Sequence, residues 1–417
     1  MAEHIKNQTG INNISSEWFK AKIDRKKLKK ISRRNDYEGW KHIIIFTASL
    51  TLLGALCVYF WGSLWFILFY LSYCTLWGGA DAIWHECGHR TAFKTRKLND
   101  FFYVIASFLN NFEPVRWRWS HSLHHSYTAS IDPHDFEVDE SIFSKYTLFN
   151  FLIRFIPGYY FLILHKSLHL EIIKHAIGIE TKVMKECIPS EKKSKCILSS
   201  RIFVFIWILI IIFSIIIQSF LPILLFLIPK FFISLNIVWG LTQHMGLKEG
   251  TKDHRESTRS VRLNPIFSFI YWKMEYHIEH HMFPSVPSYN LPKLHDAIKD
   301  QLPKPQTLFE AYREIIPAVI KYYVEFVKDS SDDFGFWLKA LHILLILPRA
   351  FVMLAPGQLH IDGSIVYGIL GVIIFILHRF DPVFNNFGIP TSDCQLSISF
   401  DMVFNRKSYN SSSPPCT

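Results

Sequence analysis

Charged residues are scarce in this chain. Asp, Glu, Lys and Arg make up 19 % of its 417 residues, against roughly 25 % in an ordinary soluble domain. Half the residues are apolar and 16 % aromatic, which excludes a disordered or low-complexity body and argues against a freely soluble one. Paired cysteines are missing as well. The seven present, Cys57, Cys74, Cys87, Cys187, Cys196, Cys394 and Cys416, contain no C-x-x-C, so no disulfide framework, zinc ribbon, iron–sulfur cluster or haem attachment is expected, only reduced structural thiols. Residues 1–40 hold no apolar core of signal-peptide length, so no cleaved secretory segment is expected. Apart from its histidine motifs the sequence has no internal repeat.

What is present is long uncharged runs. Residues 43–80 run for 38 positions without a charge, enough for two helices of about 20 residues each, with Trp61-Gly62-Ser63 as the bend. Residues 202–243 form a second run, broken by Lys230 and bent by Pro222 and Pro229. It reads as a second hairpin, making four spans. Lys230 is awkward there, since a charge at mid-bilayer costs about 2.5–3.5 kcal/mol unless it snorkels or faces protein. Segments 98–112 and 146–164 fall short of spanning, the first carrying Asp100 and the second Arg154 and Pro157-Gly158; both read as interfacial or re-entrant. Four regions follow: a basic cytosolic N-terminal segment, 1–40; the main membrane domain, 41–330; further membrane-associated segments, 331–378; and a polar tail, 379–417.

The net charge of +10 is a topology signal. Lys20, Lys22, Arg25, Lys26, Lys27, Lys29, Lys30, Arg33 and Arg34 lie just before the first span, and a second basic group from Lys174 to Arg201 precedes the second hairpin. The outer bends near Gly62 and Phe220 are uncharged. By the positive-inside rule both hairpins place their open ends in the cytosol. Nucleic acid is not an expected partner.

Three histidine motifs stand out: His85-Glu86-Cys87-Gly88-His89, then His121-Ser122-Leu123-His124-His125, then His277-Ile278-Glu279-His280-His281. On a helix, positions i, i+3 and i+4 share a face. With 20 His in the chain, chance supplies about one HxxxH pair but only ~0.05 HxxHH triplets. His165 and His169 read as the chance pair. Each motif follows a span or a non-spanning segment so that all three reach the cytosolic side. Eight imidazoles exceed one zinc site and suit two metal ions, with His244, at the end of the fourth span, as a ninth. Ligand type alone leaves iron, copper, nickel and zinc open.

These boxes, in this order between these spans, resemble the integral-membrane fatty acid desaturase and hydroxylase superfamily. The surrounding residues resemble it too: Trp84, Arg116-Trp117-Arg118-Trp119-Ser120, Ser126-Tyr127-Thr128, Tyr276 and Met282-Phe283-Pro284. The resemblance implies an all-α polytopic membrane fold of two transmembrane hairpins with a cytosolic helical cap. It also implies two non-haem iron ions held by His85, His89, His121, His124, His125, His244, His277, His280 and His281, with dioxygen as co-substrate. No catalytic group separate from these ligands is expected. Neutral imidazoles leave the charge of two irons largely uncompensated, so carboxylates are expected behind the ligands: Glu86, Asp132, Asp135 and Glu279 are the candidates to orient rings through the second N–H. One departure is Gly240, where some members carry a polar residue that holds a metal-bound water.

The activity implied is desaturation of a long acyl chain on a lipid or carrier, with hydroxylation of a lipid or small substrate as the alternative. Two of the four electrons that reduce dioxygen must come from outside, so a separate donor of cytochrome b5 or ferredoxin type is expected. The location implied is a multi-pass membrane protein, in the endoplasmic reticulum if eukaryotic. An HExxH zinc protease would use His85, Glu86 and His89 but leaves both triplets idle. A carboxylate di-iron bundle needs two Glu-x-x-His motifs, and Glu86 to His89 is the sole instance. A metal transporter would want more ionisable residues within the spans.

Overall fold

The computed structural model describes residues 18–130, 135–137, 151–159 and 168–329. Asp132, His165, the segments at 341–355 and 365–377 and the tail lie outside them. All described residues belong to the compact unit Met1–Ala340.

The architecture is helical. After α1 (Arg25–Ile31) comes α2 (Asp36–Tyr59), opened by Asn35, whose side chain accepts from the Tyr37 N–H at 2.9 Å and so satisfies an otherwise orphaned donor. Its apolar residues are not confined to one stripe. Ile44, Ile45, Leu52 and Val58 face outward, the surface a lipid bilayer covers. Gly62, at φ 84°, then reverses the chain where the sequence placed the bend, a backbone conformation that glycine reaches without strain. The return path Trp65–Gly88 is made of α3 (Trp65–Trp77) and α4 (Ala80–Gly88). Between them, a Cβ on Gly78 would lie 2.6 Å from the Asn236 side chain and one on Gly79 2.8 Å from the Ile270 carbonyl, so only glycine permits this approach.

Next, α5 (Arg96–Asn110) spans 15 residues, about 22 Å at 1.5 Å per residue and too short to cross a bilayer. It is amphipathic as the sequence required: Tyr103, Ala106, Ser107 and Asn110 turn inward while Phe101, Val104 and Ile105 are exposed. Asn111, at φ 55°, ends it, asparagine being one of the few residues that tolerate the left-handed region. Helix α6 (Pro114–Ser126) starts under the Glu113 carboxylate, which accepts from the Val115 and Arg116 N–H groups at 3.1 and 2.6 Å, with Pro114 in the first turn where its missing donor costs nothing.

Beyond α7 (Leu168–Ala176) and α8 (Lys182–Cys187) lies α9 (Ser190–Ile216). Together α2, the Trp65–Gly88 path and α9 are the three helices among the described residues long and apolar enough to cross a membrane. The expected fourth span is not one continuous helix. Its segment divides into α10 (Leu221–Phe226), a 3-10 turn at Pro229–Phe232 and α11 (Ser234–Gly240), because Pro222 and Pro229 remove backbone donors and obstruct a continuous helix. Lys230 does not snorkel. It is buried, with Nζ donating to Asn110 Oδ1 at 2.9 Å and lying 4.8 Å from the centre of the Phe112 ring.

The rest of the unit forms a cap from α12 (His254–Ser257), α13 (Pro265–Ile270), α14 (His277–Met282), α15 (Leu291–Ile298) and α16 (Leu308–Asp329). Two short parallel strands, β1 (Val261–Arg262) and β2 (Gln306–Thr307), tie the segment before α16 to the segment after α12. The N-terminal strap before α1 is pinned to the cap where Lys22 and Gln301 exchange hydrogen bonds at 2.7 and 2.8 Å. One apolar cluster, including Trp84, Phe93, Tyr103, Trp239, Met274, Leu291 and Leu294, encloses the histidines.

Candidate metal centre

Nine histidines converge, and they sort into two groups. His85, His89, His121, His125 and His280 present ring nitrogens within 4.8 Å of one another; His124, His244, His277 and His281 do the same beside them. In the first group Nε2 atoms approach at 2.6 Å (His85 to His280), 2.9 Å (His89 to His121) and 3.0 Å (His89 to His125). In the second, His277 Nε2 lies 3.1 Å from that of His244 and 3.2 Å from that of His281.

Helical geometry explains the sorting. Along α6 the i and i+4 residues, His121 and His125, enter the first group while the i+3 residue, His124, enters the second. Along α14 the pattern is reversed, with His277 and His281 in the second group and His280 in the first. Each triplet therefore straddles both groups, one helix seen from opposite sides. His85 and His89 reach the first group from the end of α4, and His244 reaches the second just after the 3-10 turn Leu241–Gln243. The first two boxes meet although α5, a helix of 15 residues, lies between them in the chain.

The opposite ring edges are held by protein acceptors. His124 Nδ1 donates to Asp135 Oδ2 at 2.8 Å, His121 Nδ1 to Glu137 Oε2 at 2.7 Å, and His244 Nδ1 to the Ser257 carbonyl at 2.9 Å. Thr128 donates its hydroxyl to the His124 carbonyl and lies 3.2 Å from His281 Nδ1. A proton committed to Nδ1 leaves Nε2 as a lone pair. Ring nitrogens converging at about 3 Å, with this tautomer fixed at His121, His124 and His244, offer lone pairs toward common centres that a cation would satisfy. The donor set therefore fits metal ions, two of them by count.

Protonation follows the same logic. Burial, reinforced by the neighbouring rings, holds His89, His125, His277, His280 and His281 well below the ordinary imidazole range, and burial pushes His244 down to about 3. Neutral imidazole is the ligating form. Burial also acts to lower His124, but the Asp135 carboxylate outweighs it and raises the group. Asp135 moves the other way: His124 and two backbone N–H groups outweigh the upward push of burial and hold it low.

Of the expected supporting carboxylates, Asp135 does hold a ligand ring and Asp132 lies outside the described residues. Glu86 and Glu279 hold no ring of either group. Glu86 accepts from the Ser288 N–H at 3.0 Å and Thr91 Oγ1 at 2.9 Å, while Glu279 accepts from Ser260 Oγ at 2.7 Å and pairs with His295. Both brace helices that carry ligands instead. Glu137 is the carboxylate that sequence reasoning passed over; its one signal was its place in the acidic run after the second box. His169 packs between Trp207 and Phe231, away from both groups. At Gly240 an added Cβ would meet no atom within 4 Å, so the space beside His244 is open.

The molecule is thus a helical protein with helices apolar enough to cross a membrane and two adjoining histidine cages. A fatty acid desaturase family model matches residues 59–313, and the chain belongs to that family, an oxidoreductase superfamily known for di-iron centres. The match ends before the last hundred residues and begins after the N-terminal strap. No curated protein matches the sequence.

Proposed function

We propose that this chain is a dioxygen-dependent desaturase of long acyl chains carried on a lipid or carrier, with its site on the cytosolic face of the membrane, the endoplasmic reticulum membrane in a eukaryotic cell. The observation that supports this is the sorting of nine imidazoles into five and four, a donor set for two metal ions with no carboxylate among the ligands. His85, His89, His121, His125 and His280 hold one iron, and His124, His244, His277 and His281 the other. When bound, the iron pair supplies the oxidising power that dioxygen needs to attack an unactivated C–H bond.

The protein's own part is geometric and electrostatic. Asp135, Glu137 and the Ser257 carbonyl fix the tautomers of His124, His121 and His244, so that these three Nε2 atoms are aimed before metal arrives. Trp84, edge-on to His85, His121 and Trp117 at 5.1 to 6.1 Å between ring centres, keeps water from one wall of the first group. The balance of the reaction is fixed by stoichiometry: the substrate gives up two hydrogen atoms, and two further electrons and two protons reduce dioxygen to two waters. The electrons require a separate carrier of cytochrome b5 or ferredoxin type.

The test is product analysis. Iron-loaded protein given reductant, dioxygen and acyl lipid is expected to yield a product two hydrogens lighter by mass spectrometry. A product heavier by one oxygen assigns hydroxylation instead, and intact lipid together with released peptides from an added protein substrate overturns the oxidative reading.

A further inference from the structure

A tenth histidine lies against the second group without joining it. The ring of His254 is centred 5.1 Å from that of His281; it is 4 % exposed, and its Nδ1 has no hydrogen-bond partner among the described residues. On its other face it is stacked by Trp18, with ring centres 4.3 Å apart and planes within 11°. Trp18 is half-buried and so reaches the surface. It sits on the N-terminal strap, which is fixed to the cap by the Phe19 N–H donating to the Lys252 carbonyl at 2.9 Å and by the Arg255 guanidinium 3.4 Å above the Phe19 ring. Three rings in succession, Trp18, His254 and His281, therefore connect the protein surface to the second histidine group.

A packing role alone accounts poorly for this arrangement. A buried imidazole with an unpartnered nitrogen is costly, and an apolar residue would fill the same space without that cost. The strap lies outside the residues matched by the family, 59–313, and His254 within them. The strap that carries Trp18 is basic: Lys20, Lys22, Arg25, Lys26 and Lys27 are exposed and Asp24 caps α1, while the exposed Glu256 on the His254 helix is paired with Lys248.

Resting on the function proposed above, we infer that electrons enter at Trp18, delivered by an acidic one-electron carrier protein that docks on the basic strap, and pass through His254 to the second histidine group. In each transfer the carrier loses one electron and one ferric ion of the pair becomes ferrous; no bond is made or broken along the path. Two transfers supply the two electrons that the substrate does not. Stacked and edge contacts favour this path because electron transfer slows steeply with each through-space gap. The docking is a small, charge-steered encounter, as redox encounters are.

The experiment uses the full chain, loaded with ferric iron in detergent, mixed in a stopped flow with the reduced soluble haem domain of cytochrome b5, while haem oxidation is followed by absorbance. Trp18→Leu is expected to slow the saturating rate about tenfold, about 1.4 kcal/mol in activation free energy, with iron content and reduction by dithionite unchanged. Trp18→Phe restores most of the rate, which a loss of fold would not allow. Lys20→Glu with Lys22→Glu raises the haem-domain concentration needed and flattens the dependence on salt, leaving the saturating rate alone. A wild-type saturating rate in Trp18→Leu overturns the route while leaving the desaturase reading intact. Failure of dithionite to reduce iron even in the wild-type chain overturns that reading itself, and the route with it.

Discussion

The two histidine groups differ in how they are held. In the first, His85, His89 and His125 are only half-buried, and His125 and His280 have Nδ1 atoms without a partner among the described residues; Glu137 alone supplies a carboxylate, to His121. In the second all four histidines are buried, and Asp135, the Ser257 carbonyl and Thr128 lie at hydrogen-bond distance from three of them. Five loosely backed ligands stand beside four tightly backed ones. The lesson is that the hydrogen-bonded support behind the rings is concentrated on one of the two groups.

The largest effect on this comparison comes from removing a ligand. His280→Ala and His124→Ala each remove one imidazole, from the first and second group respectively, and each is expected to abolish product and cost one of two iron equivalents by metal analysis, with helix content by circular dichroism retained. Retention of both irons in either variant breaks the assignment of that ring.

Next come the carboxylates behind the rings. Asp135→Asn and Glu137→Gln are each expected to lower metal affinity or turnover by about 10–100-fold. The Asp135 variant should fall at the larger end, since Asp135 also accepts from the Ala129 N–H at 2.8 Å and the Glu137 N–H at 3.0 Å. Equal losses would mean the second group is no better braced than the first.

A chelator sharpens the contrast further. Iron is expected to leave in two kinetic phases, the faster from the half-buried first group, and His280→Ala should remove the fast phase. A single phase in the wild-type chain contradicts the difference in burial.

The smallest effect is on the stability of metal-free protein against pH. Asp135, ordinarily near 3.8, is held low by His124, so its contribution is present above that value and is lost as pH falls through the folded value. His124, ordinarily 6.5, is held high by Asp135, so its contribution is present below that value and is lost as pH rises through the folded one. The gain in thermal midpoint over Asp135→Asn should therefore peak between the two ordinary values and shrink on either side. A gain that is flat with pH would show that the pair is not ionised.

Much of the site was legible before any coordinates, for a local reason. Spacings of three and four residues determine which side chains share a helix face, and His85, His121 and His277 each open such a spacing. His244 came from its place at the end of the expected fourth span, and then from resemblance, and not from spacing. What the spacing does not carry is the split into two groups, because that depends on how α6 and α14 are rotated against each other by tertiary packing. Glu137 and the Ser257 carbonyl were hidden for the same reason: neither lies at a helical interval from the ring it holds. In the fold, the first hairpin was readable from 38 uncharged residues and Gly62, and the 15-residue length of α5 kept it from being read as a span. The second hairpin was legible only in part. Hydropathy counts apolar residues and ignores the donors that Pro222 and Pro229 remove, so it does not show that this limb is divided into shorter helices. Trp18 and His254, distant in sequence and each unremarkable alone, offered no signal at all.

The most direct test of the central claim is an anomalous difference map recorded at the iron absorption edge from crystals of the iron-loaded chain. Two peaks are expected, one ringed by His85, His89, His121, His125 and His280, the other by His124, His244, His277 and His281. A single peak, or peaks lying outside the nine rings, would contradict it.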